Sequence, residues 1–271
     1  MLVGVVNVTP DSFSDGGNFL SATSAVDHAM RLLDDGADIL DIGGESTRPG
    51  TRPAVSVQEE LDRVLPVIEA VLLQRTETII SIDTYKAETA KAAVRAGAQI
   101  VNDVSGFLWD PAMAATCAEL RCGTILMHTR GHSSEWHTQP PLSPKEVVPL
   151  VLRELKQRAD AAIAAGVEHA AIVLDPGFGF GKVLDENYPL LAQFETLHTL
   201  GYPLLAGVSR KGFLGRTLAQ IYGQDAPANQ RGNATVAAIT TAVLAGAHLV
   251  RVHDVKAARE AVTIADAIRN G

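Results

Sequence analysis

Short apolar runs alternate along this chain with longer segments of helical periodicity. Residues 3–8, 37–42, 78–82, 99–104, 123–127, 170–174, 203–208 and 248–252 are each five or six residues long and mostly apolar. A run that is continuous, not alternating, reads as a strand buried on both faces, as in a parallel sheet. Helical patterns follow at residues 23–35, 56–75, 86–96, 111–121, 144–165 and 186–200. Two more, 212–222 and 229–244, follow the seventh strand, and 255–269 follows the last. Gly36, Gly97, Gly166 and Gly246 each stand just past a helical segment and just before Ala or Val. Glycine there is the usual helix terminator, and it hands the chain to the next strand.

Eight strand-then-helix units in 271 residues predict an α/β protein, a single-domain (β/α)8 TIM barrel spanning residues 1–271. The competing architecture is a doubly wound open sheet, whose polar strand tips gather at one switch point. Here nearly every strand ends in a polar residue: Asn7, Asp41, Asp83, Asn102, His128, Asp175, Ser209 and Arg251. A barrel brings all eight to one mouth, which favours the barrel. The longest irregular stretches, 9–22, 43–54 and 129–144, all follow strands and overhang that mouth.

The most pointed stretch is residues 170–182, AAIVLDPGFGFGK. An apolar strand stops at Asp175 and Pro176. Gly177, Gly179 and Gly181 then alternate with Phe178 and Phe180, and Lys182 closes the loop. The spacing is not that of a Walker phosphate loop, because Pro176 replaces the first Gly and Val183 the hydroxyl. It is not the dinucleotide fingerprint either, being G-x-G-x-G. Such a loop lets backbone and flat rings approach a ligand. Taken alone, it reads equally well as a tight turn with a capping Asp.

Charge and cysteines narrow the classes. The net charge of −8 argues against nucleic-acid binding, which needs a basic footprint, but leaves room for a local anion site. Cys117 and Cys122 match no usual zinc or redox spacing and read as two reduced thiols. No apolar run reaches 18 residues, and Met1 leads straight into a strand. No membrane span or signal peptide is expected, and the expected compartment is cytoplasmic.

The strand tips also carry a family signature. The first reads Asn7-Val8-Thr9-Pro10-Asp11-Ser12-Phe13-Ser14-Asp15-Gly16-Gly17, and the second Gly43-Gly44-Glu45-Ser46-Thr47-Arg48-Pro49-Gly50. Ser81-Ile82-Asp83-Thr84, Val101-Asn102-Asp103-Val104-Ser105-Gly106, Gly207-Val208-Ser209-Arg210-Lys211-Gly212 and Arg251-Val252-His253-Asp254-Val255 complete the set with the 170–182 loop. Together these seven segments, in order along the whole chain, resemble the dihydropteroate synthase family. That resemblance implies a barrel that joins p-aminobenzoate to 6-hydroxymethyl-7,8-dihydropterin pyrophosphate, giving 7,8-dihydropteroate and pyrophosphate in folate biosynthesis. It also implies a homodimer, for which apolar surface on the last two helices would serve.

The resemblance assigns the pterin to Asp83, Asn102 and Asp175, with Lys211 at its carbonyl side and Phe180 against the ring. The chemistry agrees: a carboxylate accepts two donors of the pterin edge, and an amide serves a mixed edge. Any one of these aspartates alone would read as a helix cap. Arg251 and His253, two apart on one strand face, suit a diphosphate, with Arg48 opposite and Asn7 contacting Mg2+. The alternative for Arg251 is an ion pair with Asp254 or Asp41. Thr47, Arg48, Pro49, Phe180, Ser209 and Lys211 would frame p-aminobenzoate. Asp83 and Lys211 are the implied catalytic groups inside the barrel. Asp11 and Phe13 are those of a loop that closes after the pterin diphosphate binds, so that p-aminobenzoate binds second.

Two positions depart from the family pattern. Thr129 stands where Met is common, and Gly212 where many relatives carry Ser. His128, His132 and His137 lie in a loop with Gly131, Pro140 and Pro141, and are read as a solvated lid, not a zinc site. Two rivals remain: a methyltetrahydrofolate–corrinoid methyltransferase, which has no diphosphate to clamp, and a barrel that binds a pterin without turnover.

Overall fold

The computed structural model describes residues 1–9, 18–46, 55–136 and 138–271. Among them, eight parallel strands alternate with helices: β1 (Leu2–Asn7), α1 (Asn18–Asp34), β2 (Ile39–Gly43), α2 (Val57–Gln74), β3 (Ile79–Asp83), α3 (Ala87–Arg95), β4 (Ile100–Asp103), α4 (Met113–Leu120), β5 (Gly123–Met127), α5 (Pro144–Ala164), β6 (Ile172–Asp175), α6 (Asn187–Ala192), β7 (Leu205–Ala206), α7 (Gly212–Tyr222), α8 (Gly232–Leu244), β8 (Leu249–Val252) and α9 (Val255–Asn270). The strand order is β6-β5-β4-β3-β2-β1-β8-β7. A bridge between Leu174 and Leu204, with Leu174 N–H donating to Pro203 O, brings β6 and β7 together and closes the ring. The (β/α)8 barrel is therefore present.

The strand alternation builds the site's platform. Side chains two apart share a face. Val3, Ile39, Ile125, Leu205 and Leu249 pack together inside the ring with Ile100 and Val173, and fill its lower part. One step up each strand, the same inward face carries polar groups: Asp41 above Ile39, Asn102 above Ile100, Asp175 above Val173 and Arg251 above Leu249. The opposite faces carry Leu40, Ile42, Ile80, Ile82, Val101, Leu126, Leu174 and Val250, buried against the helices. Gly36, Gly97, Gly166 and Gly246 have φ of 99°, 115°, 100° and 93°, the left-handed geometry of helix terminators.

Local chemistry sets most boundaries. Ser56 Oγ accepts from Glu59 N–H at the start of α2, and Asp254 Oδ1 from Ala257 N–H at the start of α9. Ser143 and Glu146 form a capping box ahead of α5, with Pro144 in its first turn. Two expectations change. The seventh strand is only Leu205–Ala206, because this edge joins its neighbour through one isolated bridge. The segment 186–200 is not one helix: α6 is followed by a 3-10 segment, Phe194–Leu200. Among the described residues no helix is long and apolar enough to cross a membrane.

Candidate active site at the barrel mouth

The polar layer above the apolar plug is tied together by Arg251. Its Nε donates to Asp41 Oδ2 at 2.5 Å, and one terminal nitrogen donates to Asp83 Oδ2 at 2.6 Å. Asn102 Nδ2 donates to the same Asp41 oxygen at 3.0 Å. Of the two ion pairs weighed for Arg251, the one with Asp41 forms. Asp254 is occupied as a helix cap. The arginine thus also reaches Asp83, one of the carboxylates that the resemblance assigns to the pterin. Asp41 was visible as a strand tip but had no assigned role. It is fully buried, and its Oδ1 and the neighbouring Ser81 Oγ have no hydrogen-bond partner among the described residues.

On the next strand of the ring, Ser209 Oγ and His253 Nδ1 lie 3.0 Å apart, and His253 N–H donates to the same hydroxyl at 3.2 Å. The two residues form one unit across β7 and β8. Asn7 ends β1 in register with Gly43, which is itself in register with Asp83.

The loop after β6 is fully braced. Asp175 Oδ1 accepts from Gly177 N–H at 2.7 Å, so one carboxylate oxygen does make the tight turn. Its Oδ2 lies where a side chain on Gly207 would come within 3.5 Å, and a Cβ on Gly43 would meet Asp83 Cβ at 3.3 Å. Each carboxylate therefore has a strand neighbour without a side chain, which leaves room for a flat ligand. Gly177 has φ 68°, and a Cβ there would lie 1.9 Å from His128 O. Lys182 does not face the mouth. It is buried and donates to Gly177 O at 2.8 Å, Phe180 O at 3.1 Å and His128 O at 3.4 Å. The two phenylalanines part company: Phe178 enters the core against Phe194 and Phe213, and Phe180 stays half-buried at the mouth. Lys211 Nζ stands 4.0 Å from the centre of the Phe180 ring.

Burial tunes these groups toward neutrality. It pushes the Asp83 carboxyl up to about 7, against the pull of Arg251 and with the help of Asp41, Glu60 and Asp103. It pushes the Lys211 ammonium down to about 7, with Asp175 and Asp83 opposing and Arg251 assisting. Burial also raises Asp175, opposed first by the Gly177 N–H and then by Lys211. For Arg251, burial is outweighed by Asp41 and Asp83, which hold the guanidinium firmly charged. Strongly perturbed groups gathered at one end of the barrel make this mouth the candidate active site.

Two supports were not legible in the sequence. Lys86 Nζ bridges Glu45 at 2.5 Å and Glu60 at 2.9 Å, and the Tyr85 hydroxyl donates to Glu45, so the end of β2 is tied to α2 and α3. The loop after β5 is solvated over most of its described length, with Gly131, His132, Ser134, Glu135, Pro140 and Pro141 exposed, but it is anchored from within. Trp136 is buried there, and His128 reaches Glu154 on α5 at 3.0 Å. Their partners lie 5 to 26 residues away and follow no regular helical or strand spacing. His132 stacks on Trp109. Asp11, Phe13, Thr47, Arg48, Pro49 and His137 lie outside the described residues.

Eight parallel strands closed into a ring, with Asp41, Asp83, Asn102, Asp175 and Arg251 gathered at the strand ends, define a (β/α)8-barrel protein with a polar site at its mouth. The sequence profile described as pterin binding enzyme matches residues 3–253. The chain is 42% identical over 270 residues to the dihydropteroate synthase of Bacillus subtilis, covering 100% of this chain and 89% of that one. It is also similar to a solved dihydropteroate synthase of Xanthomonas albilineans with 4-aminobenzoic acid, at TM-score 0.89 and 44% identity, covering 100% and 93%. The same enzyme in complex with 7,8-dihydropteroate gives 0.85 and 42%, covering 100% and 94%. The chain belongs to the dihydropteroate synthase family, transferases that join p-aminobenzoate to dihydropterin pyrophosphate.

Proposed function

We propose that the mouth divides this reaction among its residues as follows. Asp175 Oδ2, Asp83 and Asn102 receive the polar edge of the pterin, and Lys211 donates to its carbonyl. Asp83, Asp175 and Asp41 set a negative field in a buried site. That field favours the cation formed when the bond from the pterin methylene to the diphosphate oxygen breaks. The arylamine nitrogen then bonds to that methylene carbon and gives up its proton to solvent. Phe180, Lys211 and Ser209 border the space for the aryl acid.

Arg251 serves both halves of the substrate. Two of its five N–H donors hold Asp41 and Asp83, which leaves three for the diphosphate beside His253. Among the described residues no group of three or more His, Cys, Asp or Glu could hold a metal. One amide oxygen, that of Asn7, suits an ion held chiefly by diphosphate and water, and magnesium is such an ion. When bound, it would offset charge on the leaving diphosphate.

The observation that carries the reading is the pair of strand-end carboxylates, Asp83 and Asp175, each beside a glycine and both close enough to influence Lys211. Incubation with both substrates and Mg2+ should release pyrophosphate, and omission of either substrate should abolish release. Release that does not depend on p-aminobenzoate would sink the reading. A homodimer is the proposed assembly. Between α6, α7 and α8 lies an apolar groove of about 410 Å³ lined by Leu191, Leu214, Leu218 and Ala238, with Tyr222 and Leu244 exposed nearby. Sedimentation showing only monomer at micromolar concentration would exclude it. The proposed compartment is the cytoplasm, where Cys117 and Cys122 stay reduced.

A further inference from the structure

Phe180 sits on a loop between two glycines, Gly179 and Gly181, and its ring is only half-buried. A side chain so placed keeps rotamer freedom unless something stops it, and ordering it on binding costs affinity. The loop after β5 supplies the stop. Trp136 packs against Phe180 in a T-shaped pair, centroids 5.1 Å apart and planes at 85°. The indole is itself anchored, because its Nε1–H donates to Thr129 Oγ1 at 3.1 Å and to Gly131 O at 3.3 Å. Thr129 is fully buried and donates its hydroxyl to Gly131 O at 3.2 Å. A methionine at position 129 could not make this anchor.

The two loops are also bolted together. Arg130 donates to Gly181 O at 3.1 Å and to Pro140 O at 2.8 Å, and Glu186 Oε1 accepts from Leu142 N–H at 2.6 Å. The Phe180 ring also carries Lys211, its Nζ 4.0 Å from the ring centre. The contacts therefore run Thr129–Trp136–Phe180–Lys211, from a loop outside the site to the ammonium inside it.

We infer that Trp136, held by Thr129, is a positioning residue that sets affinity for the aryl acid by fixing the Phe180 ring against Lys211. The inference rests on the placement of p-aminobenzoate beside Phe180 and Lys211 given above. Trp136 touches no substrate; it acts through Phe180.

Four variants test it in steady-state kinetics with both substrates: Phe180→Ala, Trp136→Leu, Trp136→Phe and Thr129→Val. Phe180→Ala should raise KM for p-aminobenzoate strongly; an unchanged value overturns the placement and the inference with it. Given that loss, Trp136→Leu should raise the same KM about threefold to tenfold, the size of one aromatic pair. KM for the pterin diphosphate should rise by clearly less, because Asp83, Asn102 and Asp175 hold the pterin independently of Phe180. Trp136→Phe, which keeps a ring against Phe180, should restore most of the affinity. If Trp136→Leu does not fold, Thr129→Val removes one of the indole's two acceptors, leaving Gly131 O, and should show the same split on a smaller scale. Equal changes in both KM values, or an unchanged KM for p-aminobenzoate in the variant that folds, would overturn the inference while leaving the placement intact.

Discussion

Replacing Arg251 with methionine tests whether the polar layer is held by one cation. Methionine keeps an apolar stem and removes the guanidinium that bonds Asp41 at 2.5 Å and Asp83 at 2.6 Å. Both carboxylates are buried, Asp41 completely. Removing one partner of a buried ion pair costs about 3–5 kcal/mol, because the charge left behind has lost both water and its counterion. That cost depends on pH. Burial already raises Asp83 to about 7, and Arg251 is the principal influence pulling it down, so the variant's Asp83 titrates higher still. Between that raised value and the ordinary 3.8, the folded variant holds a proton that its unfolded chain lacks. Its stability therefore rises as pH falls through that window. Urea denaturation should show Arg251→Met losing about 3–5 kcal/mol at about pH 8 and distinctly less at about pH 5.5. Adding Asp41→Asn should recover part of the loss, since it removes one of the stranded charges. A loss under about 1 kcal/mol at the higher pH, the size of an ordinary surface pair, would refute the reasoning. So would a loss that is the same at both pH values.

Three further outcomes follow from the same geometry. Asp175→Asn should weaken binding of a pterin by roughly tenfold to a thousandfold in calorimetry, since the amide must keep its oxygen for Gly177 N–H and turn its NH2 toward pterin donors. The rate with both substrates should peak near neutral pH. Asp83, raised to about 7, gains acceptor strength as pH rises, and Lys211, lowered to about 7, loses its donating proton over the same range. A flat profile from about pH 6 to 9 would separate these groups from the reaction. Gly177→Ala should lower stability by about 2–5 kcal/mol, because it combines a left-handed φ of 68° with a methyl 1.9 Å from His128 O; a thermal scan unchanged from the parent would contradict the loop geometry.

Much of this molecule is legible along the chain. Eight apolar runs with polar tips, and the glycines at 36, 97, 166 and 246, are local signals. A strand buried on both faces needs continuous apolarity, and a helix end needs a left-handed residue. The inward face of each strand also follows from period two, which is why Asn102, Asp175 and Arg251 were recognisable as mouth residues. The tertiary structure decided which of them meet. Arg251 is 210 residues from Asp41 and 168 from Asp83, and only closure of the ring brings them into contact. Phe178 and Phe180 look equivalent in G-F-G-F-G, yet one packs in the core against Phe194 and the other stays half-buried beside Lys211. Lys182 and Lys211 both read as cations beside a glycine. One is spent on three carbonyls, and the other is pushed down to about 7 by burial, against the opposing field of Asp175 and Asp83. Residue type and spacing fix what a group can do. Burial and the charges that surround it after closure fix whether it does so, since both act through space and not along the chain.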